Sequence, residues 1–197
     1  MFDLPTSITI NGQPYGITNK GDFRMVIDCF LALNDAELTE QERILTALVI
    51  FYEDINDIAD IELNFNQQTL YEAIEKMYKF FDCGQKEIGA KTNYKLVDWE
   101  QDEHIIVTAV NNVAKQEIRA LDYLHWYTFM GYYTSVGEGV LSTVVGIRDK
   151  IVRGKKLDDY EKEFRTENPG YFEWNYKTVD EIEMDKEFED IMSAWRE

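Results

Sequence analysis

The segment 123-YLHWYTFMGYY-133 constrains the fold more than any other part of this sequence. Seven of its eleven residues are aromatic, counting His125. At helical spacing His125 shares a face with Phe129, Tyr132 and Tyr133, Trp126 and Met130 line the adjacent stripe, and Leu124 and Tyr127 fill the rest. A helix that is apolar on nearly every side must sit in the middle of a core or lie against a partner. A chain that contains one must therefore supply several other helices to surround it.

The rest of the sequence offers those helices. After an extended start, 7-SITINGQPYGI-17, where Asn11-Gly12 predicts a hairpin with Pro14 on its second strand, the apolar period becomes helical. Asp22 can cap a helix to about Leu33, 39-TEQE-42 is a capping box opening a helix to about Tyr52, and Asn66 can cap one over 67–82 that ends at Gly84. The Asp- and Asn-rich stretch 53–66 reads as containing a turn, and 84–97 as a loop or linker. Further helices are expected over 98–115, opened by Asp98, and 123–134, capped by Asp122, then over 140–152 and 157–165. Asn168-Pro169-Gly170 is a stop, and 178–195 can form a last amphipathic helix. The expectation is a mainly α protein of about six to eight helices. Its organisation reads as a hairpin (1–20), a helical domain (21–168) and an acidic C-terminal tail or helix (169–197).

Charge narrows the function classes. The net charge of −18 disfavours nucleic acid and anionic membrane surfaces, both of which call for a basic face. Such a chain repels copies of itself at long range and attracts basic partners. The longest apolar run, 44-ILTALVIF-51, is far short of the roughly 20 residues of a membrane span. With no leader-like start and two cysteines without metal-ligand spacing, an intracellular, soluble protein with free thiols is expected.

Candidate chemistry is sparse. In 98-DWEQDEH-104, Glu100 and His104 would share a helix face at i, i+4 and could hold a metal, yet no second histidine lies nearby. A solvated helix start explains the same residues. His125 has Asp122 one turn away as an orienting carboxylate, but no nucleophile motif accompanies it. Core packing, with its ring nitrogens bonded to neighbours, is the competing reading. The run 153-RGKK-156 suits a helix C-terminus, or else contacts an anion or partner. The acidic 180-DEIEMDKEFEDIM-192 is either a solvated helix face or a strip for a basic partner. The aromatic cluster Phe172, Trp174 and Tyr176 either caps the core or anchors a partner. No catalytic residue, metal site or cofactor is assigned.

The order 97-VDWEQDEHIIVTAV-110, 122-DYLHWYTFMGYY-133, 144-VVGIRDK-150 and 156-KLDDYEKEF-164 resembles a family of bacteriophage proteins from long-tailed phages and prophages of Gram-positive bacteria. The residues that carry the resemblance are Trp99, Asp102, His125, Trp126, Phe129, Ile147 and Arg148, and their expected role is packing. It spans most of residues 20–165 and ends before the acidic tail, where such proteins often look more basic. The resemblance implies a non-enzymatic tail-assembly chaperone encoded between the major tail protein and the tape measure protein. Such a chaperone holds the tape measure in the host cytoplasm until tube subunits polymerise around it. The tape measure protein is the implied partner, with the major tail protein as a further candidate. Two other readings stay open: a structural tail or head–tail protein retained in the particle, and a metal-dependent enzyme using Glu100 and His104.

Overall fold

A computed structural model describes residues 3–85 and 95–174. Eight α-helices and one two-stranded antiparallel sheet are found among these residues, so the protein is mainly α with an N-terminal hairpin. The described residues fall into two compact units. One holds residues up to 85 together with 121–131, and the other holds 95–120 with 132–174.

The first unit begins with β1 (Ser7–Ile10) and β2 (Gln13–Gly16), in a register that pairs Ser7 with Gly16 and Ile10 with Gln13. Asn11 and Gly12 both have positive φ, the geometry a two-residue hairpin turn demands. The Asn11 N–H donates to Glu72, which fastens the turn to a later helix. A left-handed run follows: Asn19, Lys20 and Gly21 have φ of 50°, 55° and 78°. At Gly21 a Cβ would lie 2.8 Å from Phe80 Cζ and 3.0 Å from His125 Nε2, so space and backbone both call for glycine there.

Helix α1 (Phe23–Asn34) starts at Asp22, whose carboxylate accepts from Arg24 N. Helix α2 (Glu40–Phe51) starts at a complete Thr39/Glu42 capping box. Helix α4 (Gln67–Phe81) starts at Asn66, which accepts from Thr69 N. Before it, the stretch expected to hold only a turn contains the short helix α3 (Ile58–Asn64), capped by Asp57. The core of this unit includes Val26, Cys29, Leu48, Phe51, Met77 and Phe81. Aromatic rings interlock there: Phe23 stacks on Phe129 with centroids 4.7 Å apart, and Phe51 meets Phe80 and Phe81 edge-on.

Helix α6 (Trp126–Thr134) begins three residues later than the sequence suggests, and Asp122 is not where it starts. Its first carbonyl acceptor is His125, which receives the N–H groups of Thr128 and Phe129. Trp126 and Phe129 are 1% exposed, and Trp126 Nε1 donates to Phe81 O at 2.8 Å. The part of α6 that reaches Gly131 thus belongs to the core of the first unit.

The second unit contains α5 (Glu103–Ala114), α7 (Val140–Val152) and α8 (Asp159–Glu167), with short 3-10 turns at Ile118–Ala120 and Pro169–Tyr171. Helix α5 packs on α7, and Ile105, Ile106, Val110, Leu141, Val144 and Ile147 are buried. It also starts later than expected. Asp98 accepts from Glu100 N and Gln101 N, so it caps a tight turn over 98–102 and not the helix itself. No helix among the described residues is long and apolar enough to cross a membrane. The expected helix over 178–195 and most of the 84–97 loop lie outside the described residues.

Candidate functional site

Two side-chain networks gather the residues that the sequence singles out, one in each unit. In the first, Asp22 is 5% exposed. Its carboxylate accepts from Arg24 N at 3.0 Å, from Arg24 Nη1 at 3.0 and 3.1 Å, and from Leu124 N at 2.9 Å. Phe23 N donates back to Leu124 O, so Asp22 and His125 form an isolated antiparallel bridge. Arg24 Nη2 donates to Leu121 O at 2.7 Å and closes the ring of contacts.

His125 sits beside this bridge and is 1% exposed. Its Nδ1 accepts from Tyr127 N at 3.0 Å, which makes the imidazole the cap of α6. Its Nε2 lies 3.0 Å from Pro5 O, a carbonyl that can only accept. These two contacts specify the neutral tautomer with the proton on Nε2. Burial pushes the imidazole pKa below its ordinary value, against opposing pulls from Pro5 O and the Asp22 charge. The rings of Phe80 and Tyr127 flank it, with centroids 5.6 and 5.1 Å away. Both nitrogens are thus committed to backbone groups, and no lone pair is left to take a proton from a substrate.

In the second unit the centre is Arg148 on α7. Its Nη1 and Nη2 donate to the two carboxylate oxygens of Asp102 at 2.6 and 2.9 Å. Nη1 also donates to Leu96 O, and Nε and Nη2 both donate to Tyr171 O. Every N–H of the guanidinium is used. The Asp102 carboxylate further accepts from Asp98 N at 2.9 Å. The side chains of Arg148 and Asp102 are 4% and 0% exposed, a buried bidentate pair. The Trp174 ring stacks over the guanidinium at 4.3 Å, and Gln101 Nε2 donates to Gly170 O and Glu173 O. One cation therefore joins α5, α7, the irregular stretch at 96–98 and the segment after α8.

The other singled-out residues take their places around these two centres. Ile147 is 1% exposed beside Arg148 in sequence, and Trp99 meets the Tyr133 ring at 5.5 Å. The Tyr133 hydroxyl pKa is raised, chiefly by burial and then by the Asp102 charge. Phe172 is half-buried with its ring edge-on to Phe164, and Trp174 is held on Arg148, so both rings are engaged within their own unit. Tyr176 lies outside the described residues. Glu100 belongs to the turn before α5, so the i, i+4 relation with His104 does not exist on a helix. Among the described residues no three His, Cys, Asp or Glu side chains gather in a metal-holding group.

Burial raises the pKa of the Cys29 thiol far above the ordinary range, and pushes that of Cys83 up to about 11 with help from Asp82. Both are thiols at neutral pH and poor nucleophiles. Asp22 and Arg24 are the network members that sequence reasoning missed in this role. Asp22 was legible only as a helix cap, whereas its second oxygen reaches Leu124 across 102 residues.

No curated protein and no solved structure matches the chain. A family model described as Bacteriophage Gp15 protein matches residues 1–168, well over half of the 197. With the motif residues Asp102, His125, Trp126 and Arg148 all inside that span and all buried, the chain belongs to the bacteriophage Gp15 protein family.

Proposed function

We propose that this phage protein is a non-enzymatic tail-assembly chaperone. It binds the tape measure protein in the host cytoplasm and keeps that long helical chain from aggregating until tail tube subunits enclose it. The observation that carries this reading is a division of labour between inside and outside. The groups with chemical potential, His125, Asp102 and Arg148, have their hydrogen-bonding atoms committed to holding the fold. The outside combines a net charge of −18 with large exposed apolar side chains, among them Val140 at 47% and Leu4 at 44%. A surface of that kind suits adhesion to an amphipathic helical partner with cationic flanks. The resemblance of the four motif segments to tail-assembly chaperones supports the same reading. The major tail protein is a second partner consistent with a role at the moment of tube growth.

Co-expression with the tape measure protein of the same phage or prophage tests the proposal. The expected result is a soluble complex recovered through a tag on either chain, with the tape measure insoluble when expressed alone. Electrostatic attraction between exposed charges is screened over about 10 Å at 0.1 M salt, whereas apolar burial persists. Raising salt should therefore slow association more than it speeds dissociation. Recovery of the tape measure in the same soluble amount without this protein would contradict the proposal.

A further inference from the structure

In the second unit, the last turn of α7 and the first turn of α8 are clipped together by Lys150 Nζ and Glu161 Oε1 at 2.5 Å. This corner exposes Ile151 at 37%, Val152 at 40% and Tyr160 at 63%. Of the carboxylates around it, Asp149 holds Arg153, Asp159 holds Lys162 and Asp158 caps α8, while Glu163 on α8 is exposed. Lys155 and Lys156 are exposed and pair with no carboxylate among the described residues. The result is an apolar corner with a cationic rim on a chain whose net charge is −18.

The first unit carries the complementary surface. Between α2 and the end of α3, residues 53–64 contain Glu53, Asp54, Asp57, Asp60 and Glu62 and no lysine or arginine. Asp54, Asp57 and Asp60 accept from N–H groups of Gly16, Asp60 and Asn56, and none of the five carboxylates forms an ion pair among the described residues. Leu63 projects from this ledge at 82% exposure, with exposed Ala59 one turn before it.

We propose that these two surfaces bind each other between copies: the cation-rimmed corner of one molecule receives the α3 ledge of a second, with Leu63 against Ile151, Val152 and Tyr160. Unlike-charged rims set the orientation, and the apolar contact holds it. The overall repulsion between two −18 chains is screened beyond about 10 Å at 0.1 M salt, so the rims act at contact where net charge does not. Because each copy carries both halves, the contact is head-to-tail, and it repeats into a ring if the rotation closes or a chain if it does not. The second copy is favoured over an unrelated ligand because the acidic, apolar-tipped surface that the corner needs is present on the same chain. The inference does not depend on capture of the tape measure, and neither does its test.

Sedimentation velocity of the full chain at 0.15 M salt, over a concentration series, provides that test with two variants. Lys155→Glu/Lys156→Glu removes the cationic rim, and Leu63→Glu removes the apolar tip. All three positions are exposed, so thermal melts like wild type are expected. Wild type should associate with rising concentration, and each variant alone should need at least tenfold higher concentration to do so. An equal mixture of the two variants should form a 1:1 dimer and stop there, because one intact corner and one intact ledge remain. Tyr160→Ser should weaken wild-type association in the same direction. A wild type that sediments as a monomer throughout would overturn the inference, as would variants that associate like wild type or a mixture that stays monomeric.

Discussion

The two units solve one structural problem in different ways. Each must fasten extended chain to helices. The first does so with a neutral imidazole and a half-open ion pair, in which the Arg24 side chain is 39% exposed against 7% for Asp22. The second does so with a fully buried, bidentate Arg148–Asp102 pair that gathers the carbonyls of Leu96 and Tyr171. A network made of single hydrogen bonds degrades by steps when a member is lost. A buried ion pair fails at once, because the surviving charge has no water to turn to. The second unit is therefore the one more exposed to a single substitution, and the first the one more exposed to pH.

The largest expected effect follows from that difference. Arg148→Ala leaves the Asp102 carboxylate, 0% exposed, with Asp98 N as its remaining partner. The expected loss is about 3–5 kcal/mol, read from denaturant melts. The double variant Arg148→Met/Asp102→Leu should lose less than Arg148→Ala does, since it removes both charges together. Equal or greater loss in the double variant would show that the pair contributes directly and that stranding Asp102 is not the cause.

His125→Ala should lose about 1–3 kcal/mol, because Tyr127 N and Pro5 O would each lose a partner. Asparagine at this position can supply both an acceptor and a donor and should recover part of the loss. A fold unchanged by His125→Ala would remove the imidazole from its capping role.

Trp174→Ala removes a ring lying 4.3 Å over a buried guanidinium, a contact worth about 0.5–2 kcal/mol. If Phe172 and Trp174 serve the fold, the double alanine variant melts several degrees lower and binds the proposed tape measure partner at wild-type rates. If they anchor a partner, the off-rate rises while the melting temperature holds.

The smallest effect is the most specific to the first unit. His125 is held below its ordinary pKa of 6.5 in the folded protein, so between those two values the unfolded chain binds more protons. Stability is complete above that window and falls as pH is lowered through it. A doubly protonated ring would also turn Nδ1 into a donor facing the Tyr127 N–H. His125→Asn should flatten this part of the stability–pH curve.

What was legible in the sequence is what local contacts decide. The Asn11-Gly12 turn closes between Ile10 and Gln13, the Thr39/Glu42 box and the Asn66 cap satisfy their hydrogen bonds within three residues, and each appears where expected. Helix α3 escaped notice because its seven residues turn a single fully buried side chain, Ile61, inward and look like a polar turn. The start of α6 was misplaced because its cap is an imidazole whose orientation is set by Pro5, 120 residues away. Asp98 misled for a related reason: its carboxylate closes a turn that delivers Asp102 to Arg148. Arg148 stood out in the sequence only as a residue of the family resemblance, and its bidentate pairing with a buried carboxylate depends on how α7 packs on α5. Which of 38 acidic residues supplied it could not be read without the fold.

The measurement that bears most directly on the chaperone account is quantitative mass spectrometry of purified phage particles alongside the lysate from which they came. The account predicts that this protein is abundant in the lysate, co-purifies there with the tape measure protein, and is depleted from mature particles to well under one copy per tail. A fixed, stoichiometric number of copies per particle would contradict it and assign the protein to the finished tail.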